Sequence, residues 1–314
     1  EVRTAALESL VQLRYSAARP AAHEGLFDKD VGVRIAAAKA AGSLKIVETS
    51  QRLTVLLKED IPELQTQCLT ALRQLDCADA VPQALAALNQ RGSQVAAMKY
   101  LATFGGSKEA DAMVDAAVNS RSSEMLVGAA KAIGDWSDAR AAASVAIDDV
   151  LESALQRLQG ESGQLLTWMV VGPAPSLPPK VAAEALAEAL FSKNSGKFRA
   201  AAPESKLRVR FVTANAVGGL VRAAGEASAG EQHSLAAAEF AAPRAMNVRF
   251  TGSGGPGLTI SLNRKAVFST NDKPGAATRS IAFDAALKQG RNVLMAATMA
   301  PGAHQFRLSF REIG

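Results

Sequence analysis

Gly252, Gly254 and Gly257 stand at the spacing of a phosphate-cradling loop. Dinucleotide binding by such a loop needs a strand before it and a helix after it, because the helix N-terminus holds the pyrophosphate. A strand is expected before these glycines, but Leu258–Asn263 alternates apolar and polar residues and predicts a second strand. The glycines therefore read as a hairpin loop. Three histidines, His23, His233 and His304, are scattered, with no HExxH or GxSxG motif beside them. Cys68 and Cys77 form no CxxC pair and have no histidine at metal-ligand spacing. Asp148 and Asp149 are adjacent on an expected helix, where neighbours point about 100° apart, so they read as a solvated face. No catalytic set, metal set or cofactor loop results, and the expectation is a non-enzymatic chain with no cofactor.

The remaining chemistry is basic. In Lys206-Leu207-Arg208-Val209-Arg210-Phe211 the cations fall on one side of a strand and the apolar residues on the other. Phe306-Arg307-Leu308-Ser309-Phe310-Arg311 repeats the pattern, and Arg249 joins it. Lys206, Arg208, Arg210, Arg249, Arg307 and Arg311 are thus the candidate surface for an anionic ligand or a protein interface. The structural alternative is the ordinary wet face of a half-buried sheet. Nucleic acid is disfavoured, because no aromatics alternate with the cations on the outward side to stack bases.

Two kinds of element must position these residues. Apolar starts at Val2, Val33, Leu64, Ala96 and Met125 recur at spacings of 31, 31, 32 and 29 residues. A period near thirty with helical content marks stacked helix pairs. Small residues recur in the second helices: Ala37-Ala38, Cys68-Leu69, Tyr100-Leu101 and Ala129-Ala130. Gly42, Gly105 and Gly134 are expected to end them, and Ala141–Gln159 to cap the stack. After Gly163 the pattern changes to period two. Strands are predicted at Lys206–Phe211, Ser234–Phe240, Met246–Thr251, Leu258–Asn263, Ala266–Ser269, Arg279–Phe283, Asn292–Thr298 and Phe306–Arg311. A helix over about 179–191 interrupts them, opened by Pro178-Pro179. The fold class is an α-α superhelix followed by a β-sandwich or jelly roll, with domains at 1–160 and 161–314.

Composition divides at the same place. Residues 1–160 hold 17 Lys+Arg and 20 Asp+Glu, while residues 161–314 hold 18 and 10, so only the second half is basic. Anionic partners are expected there alone. The longest uncharged stretch, Ser162 to Pro179, is cut by Gly and Pro and cannot span a membrane as a helix. The chain begins with Glu and its first repeat opens at a second helix, as in a piece of a longer protein.

Val33-Arg34 with Ala37-Ala38 and Gly42, echoed in Met125–Gly134, resembles the HEAT repeat family across about residues 1–159. Trp168-Met169-Val170-Val171-Gly172-Pro173, Leu258–Val267 and Leu287–Leu294 resemble a sandwich module reading Trp-x-Val-x-Gly-Pro, Leu-Asn-Gly-Lys and Leu-x-x-Gly-x-Asn-x-Leu. Repeats followed by this module are similar to a segment of large exported multidomain proteins of planctomycetes and verrucomicrobia. In those a dehydrogenase-like propeller often precedes and a c-type cytochrome domain often follows. No Cys-x-x-Cys-His is present, so no haem role carries over. The resemblance implies an extracytoplasmic scaffold that holds a protein partner or a neighbouring domain on the solenoid's concave face, which the second helices line. The competing readings are a carbohydrate-binding module for acidic glycan with the solenoid as spacer, and a structural segment of a cytochrome-containing dehydrogenase.

Overall fold

The computed structural model describes residues 2–13, 18–142, 149–174, 210–219, 221–222, 232–255, 257–270, 278–300 and 305–314. Helical repeats occupy the N-terminal part and antiparallel sheets the C-terminal part. Two compact units divide between Ala116 and Ala117, earlier than the expected 160/161 boundary. The expected helix at 179–191 and most of the strand at Lys206–Phe211 lie outside the described residues.

In the first unit, α1 (Val2–Gln12) precedes three helical hairpins. These are α2 (Ala18–Gly25) with α3 (Val31–Ser43), α4 (Ser50–Leu56) with α5 (Pro62–Gln74), and α6 (Val81–Ala87) with α7 (Gln94–Phe104). The second helices stack, α3 on α5 and α5 on α7. Ala37, Ala38, Cys68, Leu69 and Leu101 are buried between them, as is the larger Tyr100. The Tyr100 hydroxyl donates to the Cys77 carbonyl at 2.5 Å and accepts from the Ala80 amide at 3.1 Å, which fixes the turn entering α6. Burial pushes its pKa up to about 12.

The turn inside each of the first two hairpins is held by the residue after the apolar start. Arg34 donates to the carbonyls of Asp28 and Lys29. One period later the buried Gln65 does the same to Leu57 and Glu59. The loss of the Arg in the second repeat is therefore a substitution of donor, with the job kept. Arg34 also reaches Glu59 of the following unit at 2.7 Å, and Arg3 reaches Asp28 at 2.9 Å, so the turns are laced together along the stack.

The glycines behave differently from the helix-ending role expected of them. Gly42 lies inside α3, and a Cβ there would come 2.8 Å from the Ala71 Cα. It is a close-approach residue where α3 crosses α5. The left-handed closing position belongs to Lys45 after α3 and Asp76 after α5, with φ of 54° and 58°. The amides of Ile46 and Cys77 then reach back to the Ala41 and Leu72 carbonyls, as a Schellman closure requires. Gly105 does end α7, but in extended conformation. After α8 (Ala110–Ser120), Gly134 sits within α9 (Ser123–Ala142) against Thr167 and Thr213.

The second unit has three layers. One sheet has the order β2-β1-β4-β9-β6-β7 and the other β3-β10-β5-β8. The strands are β1 (Thr167–Ala174), β2 (Arg210–Thr213), β3 (Val221–Arg222), β4 (Gln232–Ala242), β5 (Met246–Gly254), β6 (Leu258–Leu262), β7 (Lys265–Ser269), β8 (Arg279–Leu287), β9 (Gly290–Ala300) and β10 (Gln305–Glu312). Aromatic rings fill the space between sheets: Trp168 against Phe306, and Phe240, Phe250 and Phe310 against one another. No helix follows the Gly252–Gly257 loop, which joins β5 to β6. The β6–β7 turn has positive φ at both Asn263 and Arg264, the hairpin geometry that Asn-Gly suits best. The Asn263 side chain accepts from the Val293 amide and donates to Asn292, whose own side chain locks the turn before β9.

The third layer corrects the expected solenoid cap. Helix α10 (Asp149–Ser162) packs on β4, and α9 packs on β2. Gly160 permits this, since a Cβ there would meet the Ala241 carbonyl oxygen. Both faces of β4 are consequently buried: Phe240 points to the other sheet and Glu239, 8 % exposed, points to α10. Arg291 grips Glu239 with two hydrogen bonds of 2.8 and 2.5 Å, while Gln156 of α10 donates to the same carboxylate at 2.7 Å. Gln159 donates to the Glu239 carbonyl and accepts from the Thr167 amide. The Glu239 hydrogen bonds raise the Arg291 pKa. No helix among the described residues is long and apolar enough to cross a membrane.

Two stability measurements follow. Gly42→Ala should cost about 1–3 kcal/mol in denaturant unfolding, the usual cost of overpacking, because the Ala71 backbone opposes the new methyl even after the flexible Gln74 side chain has moved aside. Glu239→Gln should cost about 2 kcal/mol, because it removes the hydrogen-bonded carboxylate of the Arg291 guanidinium and leaves only Glu152, at 4.0 Å. An unfolding midpoint unchanged by either substitution would contradict the corresponding contact.

Candidate functional site

The six sequence-derived basic residues do not assemble as one surface. Lys206 and Arg208 lie outside the described residues, and Arg210 is on β2 of the six-stranded sheet. Arg249, Arg307 and Arg311 do come together, on the exposed face of the four-stranded sheet. Period-two alternation places them there: Phe250, Phe306, Leu308 and Phe310 point inward, so their neighbours along β5 and β10 point out.

The pairing register arranges that face in three rows. Arg311, Arg249 and Asp284 form one, Ser309, Thr251 and Ala282 the next, and Arg307, Ser253 and Ser280 the third. Arg249 binds Asp284 as a two-pronged fork at 2.6 and 2.7 Å. The Arg249 hydrogen bonds hold the Asp284 carboxyl below its ordinary pKa. Arg307 donates to the Gly218 carbonyl at 3.1 Å. Gly218 has φ of 69°, so the loop that receives this arginine uses a glycine-favoured conformation. Along Arg307 and the middle row runs a cleft of about 500 Å³, bordered by Gln164–Leu166, Gly218 and Gly219 and floored by Thr251, Ser280, Ala282 and Ser309. Asp284 and the hydroxyl floor were not singled out from sequence. The alternation of β8 was visible, but only the register shows that Asp284 lies beside Arg249.

The helical unit has its own concavity, of about 790 Å³, between α4 and the turn leading into α6. Val47 and Val55 are exposed along it, at 62 % and 44 %. Glu48, Asp76, Asp79 and Lys58 ring it, and Cys77 opens into it. This groove is bordered by first helices, whereas the second helices were the expected docking face.

Among the described residues, no group of three or more His, Cys, Asp or Glu stands close enough to hold a metal ion. Cys68 and Cys77 are unpaired thiols. Cys68 is buried, and burial pushes its pKa up to about 12.

Residues 1–73 match the model for HEAT repeats. No curated protein matches the chain. Among solved structures, β-glucosidase from Kluyveromyces marxianus is 13 % identical over 27 % of this chain and 11 % of its own, with a TM-score of 0.23. A family 35 carbohydrate-binding module from Clostridium thermocellum is 18 % identical over 31 % and 79 %, with a TM-score of 0.21. The family 35 module of Cellvibrio japonicus Abf62 is 16 % identical over 29 % and 81 %, at 0.19. This chain spans about a tenth of the β-glucosidase. At such TM-scores these likenesses carry no argument about ligand.

The thiols give a direct check on the groove. Since the thiolate is the reactive form and access limits it, one thiol, Cys77, should react with a water-soluble disulfide reagent in the native protein. Cys68 should react only after unfolding. Two equivalents titrating natively would contradict this packing.

Proposed function

We propose that this chain is a non-catalytic interaction scaffold whose helical repeats hold a protein partner. The observation that carries the reading is the match of residues 1–73 to HEAT repeats, joined to a groove with exposed valines between successive hairpins. Stacked repeats present extended surface as a consequence of their architecture. Exposed aliphatic side chains inside a concavity, rimmed by charge, are what a partner would desolvate on binding.

The sequence motifs at 168–173, 258–267 and 287–294 support placing this scaffold within a larger exported protein, with a domain of the same polypeptide as one form of partner. A sugar-reading sandwich is the second reading. It would have to operate on the four-stranded face without a stacking platform, because Phe250, Phe306 and Phe310 are turned into the core.

The test is affinity purification from the producing organism with the full chain and with Val47→Asp/Val55→Asp. Both valines are exposed, so the variant should fold normally. A protein recovered with the parent and depleted about tenfold with the variant supports the reading. Equal recovery by both overturns the groove as the docking site.

A further inference from the structure

We infer that the exposed face of the four-stranded sheet is a docking surface for an extended acidic peptide segment, with carboxylates four residues apart. This surface lies on the second unit and is separate from the α4–α6 groove proposed above. Three observations carry it.

The first is unbalanced charge. Arg311 stands directly across from Arg249 in the β10–β5 register, and like charges so placed repel. The one carboxylate in that row, Asp284, spends both oxygens on Arg249. Arg311 has no counter-charge among the described residues, and Arg307 has only the Gly218 carbonyl, taken by one of its donors. Among the described side chains, the face carries three arginines against one aspartate.

The second is spacing. Arg307 and Arg311 are four residues apart on one strand, so their Cα atoms are separated by about 13 Å. An extended peptide lying along β10 has the same rise. Carboxylates at its positions i and i+4 fall on one face and meet both guanidiniums together.

The third is the floor. Between the arginine rows lie Thr251, Ser309 and Ala282, with Ser280 in the row of Arg307, small side chains that leave the cleft open. The Thr251 and Ser309 hydroxyls meet at 3.5 Å, and the Ser309 hydroxyl donates to the Thr251 carbonyl at 3.4 Å, both long contacts. They can turn to a peptide backbone instead. A sugar ring would want an aromatic face here, and a peptide backbone does not.

The test uses the full chain and fluorescent Glu-Val-Thr-Val-Glu, followed by anisotropy. Controls are Gln-Val-Thr-Val-Gln, a peptide with adjacent glutamates, and trigalacturonate. Binding of the first peptide should weaken about tenfold or more for Arg307→Gln/Arg311→Gln, and also as salt rises from about 0.05 to about 0.5 M. It should survive Val47→Asp/Val55→Asp, which separates this surface from the helical groove. Ala282→Trp, which fills the cleft without touching the charges, should weaken it as well and serves if the arginine variant does not fold. Equal binding of the glutamate and glutamine peptides, or of the adjacent-glutamate peptide, overturns the inference. So do salt-independent binding, no binding at all, and binding of trigalacturonate in place of the peptide.

Discussion

The second unit depends on one buried carboxylate. Glu239 sits on β4 between α10 and the sheet, and its charge is matched by the Arg291 fork and by Gln156 from the helix. A carboxylate placed there alone would be unfavourable, since water is excluded on both sides of the strand. With its partners it ties helix to sheet and β9 to β4. Glu152 of α10 also approaches Arg291, at 4.0 Å. Buried ion pairs are weak evidence for net stability. Their value here is positional: a helix that slid by one turn along β4 would leave the half-buried arginine and the buried carboxylate without Gln156 and Glu152 of the helix.

Around that anchor, close approach is set by side chains that are absent. Gly160 lets α10 reach the Ala241 carbonyl, Gly134 lets α9 reach Thr167 and Thr213, and Gly42 lets α3 reach Ala71. Each gives up helix propensity, about 1 kcal/mol relative to Ala, and gains backbone contact with a neighbouring element. The same logic explains why alanine fills so much of both units. Small residues narrow the spacing between layers, and a few large ones, Tyr100 and Trp168 among them, fill the gaps that remain.

The two candidate surfaces differ in kind for a related reason. In the repeats, arginines are spent on the turns, where Arg3 and Arg34 bind carboxylates and carbonyls of the scaffold itself. The groove beside α4 keeps two exposed valines, Val47 and Val55, inside a charged rim. On the four-stranded sheet the core is supplied by inward aromatics, so the outward positions are free to carry charge. Only one of the three arginines on that face is matched by a carboxylate.

Periodicity in the sequence determined the helical repeats, the antiparallel sheets and the direction in which Arg249, Arg307 and Arg311 point. Each follows from which residues must be buried on an element whose geometry repeats every 3.6 or every 2 residues. Which layer α10 joins was not legible. Its amphipathic face would serve equally to cap a helical stack or to cover a sheet, and the choice lies in Glu239 and Arg291, far away in the chain. Nor could the sequence assign Gly42 to a helix crossing or Asp284 to Arg249. A glycine looks the same whether it ends a helix or admits a neighbour, and strand register is a relation between segments that neither segment encodes alone.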